Sequence, residues 1–281
     1  MLIVRLQGGL GNQLFQYAFA RALSLKQNKS VFLEKSFKQH KVFGITQREY
    51  ALDVFAIEAQ VFEENTFHKI TSVIKRVLQK IVHIEWRGLE KSFAFDQKML
   101  TIKDGYFDGY WQSYKYFEHI ESIIKNELVL KVISPEIKQF ADQIETEKSL
   151  AIHIRRGDFV NNKKHEVVKN DYYEKAIKII ESTHAVEHIY VFSDDIAWCE
   201  EHLHFDYPTT FVPLAYEGKH GEGHLHMMSK CQYFIIPNST FAWWGAWLSN
   251  RKDKIVITPK IWRNDILIPP DDLLPPDWVK I

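Results

Sequence analysis

Ser149-Leu150-Ala151-Ile152-His153-Ile154-Arg155-Arg156-Gly157-Asp158-Phe159-Val160 is the stretch on which the reading of this chain turns. It begins as a short apolar alternation, Leu150, Ile152, Ile154, which is how a buried strand reads, and then breaks into charge and glycine. Side chains two apart in a strand share a face, so His153 and Arg155 point one way and Arg156 the other. Arg155 is then placed to face a cleft, with Arg156 left to pair with a carboxylate such as Asp158. In open parallel sheets ligands bind beyond the carboxyl ends of the strands, and a planar, permanently charged guanidinium there suits a phosphate oxygen. Two readings stand side by side. The cluster is an anion site, or it is a surface ion pair of Arg156 and Asp158 beside a half-buried His153. An adhesion tripeptide is a third sense of Arg156-Gly157-Asp158, with little behind it in a segment that grows straight out of a core strand.

The rest of the chain sets limits on that stretch. Its 281 residues suffice for two ordinary domains, and 46% apolar with 14% aromatic residues supply a core. Lys plus Arg and Asp plus Glu are both 36, so there is no overall attraction to nucleic acid or to an anionic membrane, and any anion must be held by a local constellation. The first residues, Met1 to Leu6, read as a strand too short for a signal peptide, and no stretch approaches the roughly 20 apolar residues of a membrane span. Two cysteines, Cys199 and Cys231, make no disulfide framework. The expectation is a cytoplasmic protein with at most peripheral membrane contact.

In the first half, Leu2 to Leu6 reads as a strand, Gln7-Gly8-Gly9-Leu10-Gly11-Asn12-Gln13 as a glycine loop, and Leu14 to Leu23 as an amphipathic helix. The third glycine of a dinucleotide fingerprint falls on Leu14, and no Gly-Lys-Ser/Thr follows, so neither a dinucleotide site nor an ATPase loop is complete. What remains is either a tight strand-to-helix turn or a loop whose N–H groups and Asn12 approach a ligand. Val31 to Glu34 reads as a strand, and the spacing of Ile70, Val73, Ile74, Val77, Leu78 and Ile81 predicts a helix from about Glu63 to His83. Gly105 to Gln112 is strand-like and aromatic, a helix is expected around Tyr114 to Leu128, and Tyr110, Trp111 and Gln112 combine rings with an amide in the way sugar sites do, or simply belong to the core.

Ser134-Pro135 starts a helix running to about Glu145. The polar stretch Glu145 to Lys148 is the expected border between residues 1–147 and 148–281. Strands and helices then alternate through His188 to Phe192, Thr210 to Leu214, Tyr233 to Ile236 and Lys254 to Thr258, with helices near Asp171 to Glu181, Trp198 and His224 to Cys231, which predicts a parallel, doubly wound sheet. The proline-rich tail is an extended closing segment. Two more strand ends carry polar groups. Asp194 and Asp195 are either acceptors for a ribose or base, or helix caps. Ser239 and Thr240 open an apolar helix, as caps or as a phosphate seat. His220, His224 and His226 lack the companions of a known metal site, and no metal is expected.

Taken together, Gly8 to Ala18, Gly109-Tyr110-Trp111-Gln112, His153 to Asp158, Val191 to Asp195 and Asn238 to Leu248 closely resemble the bacterial α-1,2-fucosyltransferases, glycosyltransferase family 11. The resemblance runs in order over nearly the whole chain. It implies an α/β fold of the GT-B type, two Rossmann-like domains facing a cleft, the first on the acceptor side and the second holding GDP-fucose. It implies inverting, metal-independent transfer of L-fucose to the 2-hydroxyl of a terminal galactose, in an oligosaccharide or a lipid-linked glycan met at the inner face of the cytoplasmic membrane, with no cofactor beyond the donor. Carried over, Arg155 holds the β-phosphate, His153, Arg156 and Asp194 lie on the donor side, Ser239 and Thr240 add phosphate contacts, and Asn12 closes over the pyrophosphate. Tyr110, Trp111 and Gln112 fall on the acceptor side. Where many relatives carry an Asp for the guanine, this sequence has His224, with Glu222 as the local substitute. Asp158 is the catalytic carboxylate of the motif, as base or as a group that orients an arginine. The rival expectations are a transferase using another nucleotide sugar, and a non-catalytic glycan or nucleotide binder.

Overall fold

The computed structural model describes residues 1–35, 49–62, 88–157, 164, 168 and 170–281. The helix expected from Glu63 to His83 lies outside them, as does Asp158. The chain divides into two compact units, Met1–Val129 and Leu130–Ile281. The division precedes the polar stretch around residue 147, because the helix ahead of that stretch packs against a helix of the second unit.

The first unit is built on four parallel strands, β1 (Leu2–Arg5), β2 (Val31–Glu34), β3 (Gln60–Phe62) and β4 (Gly105–Phe107), in the order β3-β2-β1-β4. Register runs from Ile3 to Phe32 on one side and to Tyr106 on the other. Helix α1 (Leu10–Gln27) buries Leu14, Phe15, Tyr17, Ala18, Phe19, Ala22 and Leu23 on this unit's core. Phe19 lies flat on Trp111, ring centroids 4.2 Å apart and planes 8° apart, and meets Tyr116 edge-on at 5.1 Å. The continuous helix expected from Tyr114 is instead two 3₁₀ turns, Tyr114–Tyr116 and Glu118–Ile120, followed by α2 (Glu121–Glu127). Tyr116 accounts for the difference. Its ring is fixed against Phe19, Phe95 and Trp111 and its hydroxyl accepts from the Asp96 amide at 3.0 Å, so the chain tightens around one buried anchor.

The second unit carries six parallel strands in the order β10-β9-β8-β5-β6-β7. They are β5 (Ser149–Ile154), β6 (His188–Ser193), β7 (Thr209–Phe211), β8 (Tyr233–Ile235), β9 (Ile255–Thr258) and β10 (Val279–Lys280). Ahead of β5 runs α3 (Pro135–Thr146), and α4 (Asn170–Glu181), α5 (Ile196–His202), α6 (Glu222–Lys230) and α7 (Thr240–Leu248) connect the strands. All six residues of β5 are buried, as its position between β6 and β8 requires. The Ser134 hydroxyl caps α3 by accepting from the Ile137 amide at 3.3 Å, with Pro135 in the first turn. Lys254 Nζ donates to the last carbonyls of α7, those of Ala246 and Trp247, and to Ser249. A cation there meets the negative end of the helix. The proline-rich tail returns as β10, pairing with β9. Among the described residues no helix is long and apolar enough to cross a membrane.

A buried network holds α1 to α2. The Tyr17 hydroxyl donates to Glu127 and accepts from the Glu58 amide at 3.1 Å, while Arg21 Nε donates to Glu127 at 2.8 Å. Tyr17→Phe strips one donor from a buried carboxylate and is expected to destabilise the first unit by about 1–3 kcal/mol. Hydrogen exchange reads it as faster exchange along α1 with β5 and β6 unchanged. Unchanged protection in α1 shows the network to be dispensable.

Candidate active site at the carboxyl edge of the six-stranded sheet

The order of the second sheet reverses once. From β5 the chain lays β6 and then β7 on one side, and crosses back to place β8, β9 and β10 on the other. Ligand crevices in open α/β sheets form at such a switch point, beyond the carboxyl ends of the two strands that flank it. Here those ends are His153 to Gly157 after β5 and Pro237 to Thr240 after β8. That the two lie side by side follows from the pairing of Ile152 with Ile235 and from the His153 ring, 5.6 Å from that of Phe241.

The register of β5 with β6 arranges the arginines. Ile154 pairs with Ser193, so one step beyond the strands Arg155 meets Asp194, and the next step brings Arg156 to Asp195. Asp194 Oδ1 accepts from the Arg156 amide at 2.9 Å; Oδ2 accepts from the Gly157 amide at 3.1 Å and lies 3.0 Å from Arg155 Nη1. A Cβ on Gly157 would stand 2.5 Å from that oxygen, so a larger residue there would push the carboxylate from its place. Asp194 is thus a carboxylate that folds the loop and aims Arg155. The expected ribose or base contact is not what its oxygens are engaged in. Arg155 itself keeps 21% of its side chain exposed.

Arg156 turns the other way, as the strand periodicity requires, and among the described residues it meets Asp195 and Trp198. Its Nε donates to Asp195 at 3.0 Å and its guanidinium lies 3.6 Å over the Trp198 ring. With both its charge and its flat face taken up, Arg156 anchors the loop. Asp195 serves this pair and makes no side-chain cap to α5. Trp198 is not legible as a site residue, since a lone tryptophan in a short helix carries no motif.

Further expected residues occupy this edge. His153 is buried, and its Nδ1 is enclosed with no hydrogen-bond partner. Burial, then the neighbouring charge of Arg155, and then His224 push its pKa down to about 3, so the ring stays neutral. His224 donates through Nε2 to the Pro213 carbonyl at 3.0 Å, which fixes its tautomer, and its pKa is lowered by burial. Glu222 accepts from the amides of Lys219 (3.0 Å) and His220 (2.7 Å), so both its oxygens fold the turn ahead of α6. Ser239 caps α7, accepting from the Ala242 amide at 3.4 Å, which leaves its own proton to donate. Thr240, half-buried, is the first residue of that helix.

The remaining expected residues belong to the first unit. Asn12 Oδ1 accepts from Gln112 Nε2 at 2.9 Å, in the first turn of α1. Gly8 takes a left-handed φ of 79° there, and a Cβ on it would lie 2.3 Å from Asn12 Nδ2. Tyr110 is half-buried with its ring stacked 6.2 Å from Phe93. Trp111 departs from the expectation of a sugar platform. It is fully buried on Phe19, because its backbone adopts a φ of 55° that turns the ring inward. The residue that holds this turn, Glu90, accepts from the amides of Tyr110 (2.6 Å) and Trp111 (3.0 Å) and has no signal in the sequence.

His153 makes an acid-side prediction. A histidine whose folded pKa lies below its unfolded value stabilises the fold above about 6.5 and loses that contribution as pH falls toward about 3. The melting temperature is expected to drop through this window, and His153→Gln, which cannot titrate, to flatten the drop. An unchanged slope in the variant assigns the acid sensitivity elsewhere.

Comparison with known proteins agrees with this architecture. The sequence matches Glycosyl transferase family 11 over residues 78–281. It is 32% identical to the Alpha-1,2-colitosyltransferase of Escherichia coli, over all of this chain and 99% of that protein. It is 33% identical to the O-antigen biosynthesis glycosyltransferase WbnK of Escherichia coli, over 92% of this chain and 93% of that one. In structure it resembles POFUT1 in complex with GDP-fucose, with a TM-score of 0.50 at 14% identity, covering 92% of this chain and 97% of that one. With its two units, each on a parallel sheet, the chain has the GT-B type of α/β fold and belongs to glycosyltransferase family 11.

Proposed function

We propose that the protein transfers L-fucose from GDP-fucose to the 2-hydroxyl of a terminal galactose, with inversion and without a metal, in a surface glycan such as an O-antigen repeat. The single observation that supports the reading best is Arg155, aimed by Asp194 at the switch point beside the start of α7. When the bond from sugar to diphosphate breaks, negative charge grows on the departing GDP. A fixed guanidinium and a nearby helix N-terminus stabilise that charge more than they stabilise the intact donor, which is what lowers a barrier. The neutral His153 ring lies beside Arg155 and lets the arginine supply the charge alone. Ser239 and Thr240 donate to phosphate oxygens in this reading.

The name of the colitosyltransferase relative supports an α-1,2 linkage, and that of WbnK supports a glycan acceptor of the O-antigen kind. The colitose in the first of those names also favours a second reading, transfer of another deoxy sugar from its nucleotide. Incubation with GDP-fucose or a colitose donor, each with lactose, followed by mass spectrometry, separates the two, and release of GDP against UDP checks the nucleotide.

Arg155→Lys keeps the charge and loses the planar fork, so kcat is expected to fall at least about tenfold. Asp194→Asn leaves the arginine in place without its partner, and a fall of similar size is expected, about tenfold or more, from a misaimed Arg155. Near-normal kinetics in both variants removes Arg155 from the reaction. Calorimetry with GDP that finds no binding to the wild-type chain rejects the nucleotide-sugar reading altogether.

A further inference from the structure

The first sheet also reverses once, at a place the reading above leaves unused. β2 and β3 extend to one side of β1, and the chain then returns to lay β4 on the other. The switch point therefore lies between the carboxyl ends of β1 and β4. Arg5 is the last residue of β1, Gln7 follows two positions later, and Asp108 is the first residue after β4. These three converge. Arg5 Nη1 donates to Asp108 Oδ2 at 2.9 Å and Gln7 Nε2 to Asp108 Oδ1 at 3.4 Å.

The cluster is open to a ligand. The Arg5 and Asp108 side chains keep 23% and 28% of their surface exposed. The neighbouring carboxylate at this edge, Glu34, is 5% exposed and taken by the Tyr106 hydroxyl, so Asp108 is the acid that faces outward. The backbone around it is fixed. Gln16 Oε1 accepts from the Gln7 amide at 2.9 Å, and its Nε2 donates to the Gly109 carbonyl at 3.1 Å, tying the two strand ends together. Tyr110 stands two residues beyond Asp108 with a half-buried ring.

The chemistry selects a class of ligand. Arg5 is met by Asp108 and by the charge of the buried Glu34, so nothing here favours an anion. Arg has five donors and a carboxylate about four acceptor positions, and each keeps unused capacity after the bonds above. A neutral saccharide, whose hydroxyls both donate and accept, is the complement, with an adjacent ring for its apolar face.

We infer that Arg5, Gln7 and Asp108 form the hydroxyl-binding site of the acceptor saccharide, with Asp108 accepting from one hydroxyl while Arg5 and Gln7 donate to its neighbours. The inference rests on the transferase reading and assigns its acceptor to side chains that no motif marks.

The test uses the full chain with lactose as probe. Asp108→Asn and, as a milder change confined to the edge, Gln7→Leu are compared with wild type for lactose KM, kcat and GDP affinity by calorimetry. Asp108→Asn is expected to raise the lactose KM at least about tenfold, the usual effect of losing a charged hydrogen-bond acceptor. Gln7→Leu is expected to raise it less, and GDP affinity is expected to stay as in wild type. An unchanged KM in both variants makes the cluster a structural ion pair and overturns the inference. Loss of GDP affinity in step with the rise in KM makes it general damage and overturns it equally. Wild type that binds GDP yet neither binds nor fucosylates lactose, methyl β-galactoside or N-acetyllactosamine sinks this acceptor site and leaves the nucleotide site standing. Wild type that binds no GDP sinks the reading on which both depend.

Discussion

The pairing of β5 with β6 is the constraint from which the rest of the second unit's edge follows. Because Ile154 sits opposite Ser193, two arginines meet two aspartates in order, each pair on its own face of the sheet. A slip of one residue would reverse every side chain and set Arg155 on the Trp198 side. Register here is fixed by burial, since both strands are enclosed by neighbours and their side chains sit in the core. The packing of apolar residues therefore decides where a guanidinium points. Asp194 then fixes it. Its oxygens accept two backbone amides as well as the guanidinium, so moving the loop orphans the half-buried Arg156 amide and Arg155 guanidinium, a loss of about 1–3 kcal/mol each, and returns only the exposed Gly157 amide to solvent.

The two sheets solve the same topological problem with opposite electrostatics. Each reverses once, and each presents at the reversal an arginine paired with an aspartate from a neighbouring strand end. In the second unit the aspartate is drawn into the loop backbone, and the start of α7 stands alongside, so the edge favours negative charge. In the first unit the carboxylate meets only side chains and keeps outward acceptor capacity, and with Glu34 nearby the edge does not favour an anion. A diphosphate and a neutral sugar are the natural complements of the two. That difference comes from what each carboxylate is bonded to, which composition cannot reveal.

Much of the architecture is legible in the sequence because it rests on local patterns. The alternation in Leu150, Ile152 and Ile154 locates β5, Ser134-Pro135 locates α3, and strand periodicity sends Arg155 and Arg156 to opposite faces. Partners are not legible. Arg156 takes Asp195, 39 residues away, because parallel strands bring remote ends together. Glu222 and His224 stand where the motif places a base contact, yet their polar atoms serve the amides of Lys219 and His220 and the Pro213 carbonyl. A buried or half-buried polar group in this fold is most often satisfied by nearby backbone, and sequence spacing does not say which backbone is near.

Trp111 shows how burial decides between a sugar platform and the core, and what the fold gains from it. A left-handed φ of 55° in a bulky residue costs roughly 1–2 kcal/mol. Burying an indole of about 200 Å² returns several kcal/mol at about 25 cal/mol per Å², so burial wins and the ring goes inward onto Phe19. Glu90 stabilises the turn by accepting both amides at the bend, Tyr110 and Trp111. The consequence lies one residue further on. With Trp111 turned in, Gln112 is carried to Asn12 at the start of α1 and donates to it at 2.9 Å, so the aromatic core and the glycine loop are set by the same bend. The Tyr110-Trp111-Gln112 segment thus positions the loop through its second and third residues, and of the three Tyr110 alone remains at the surface to meet a ligand.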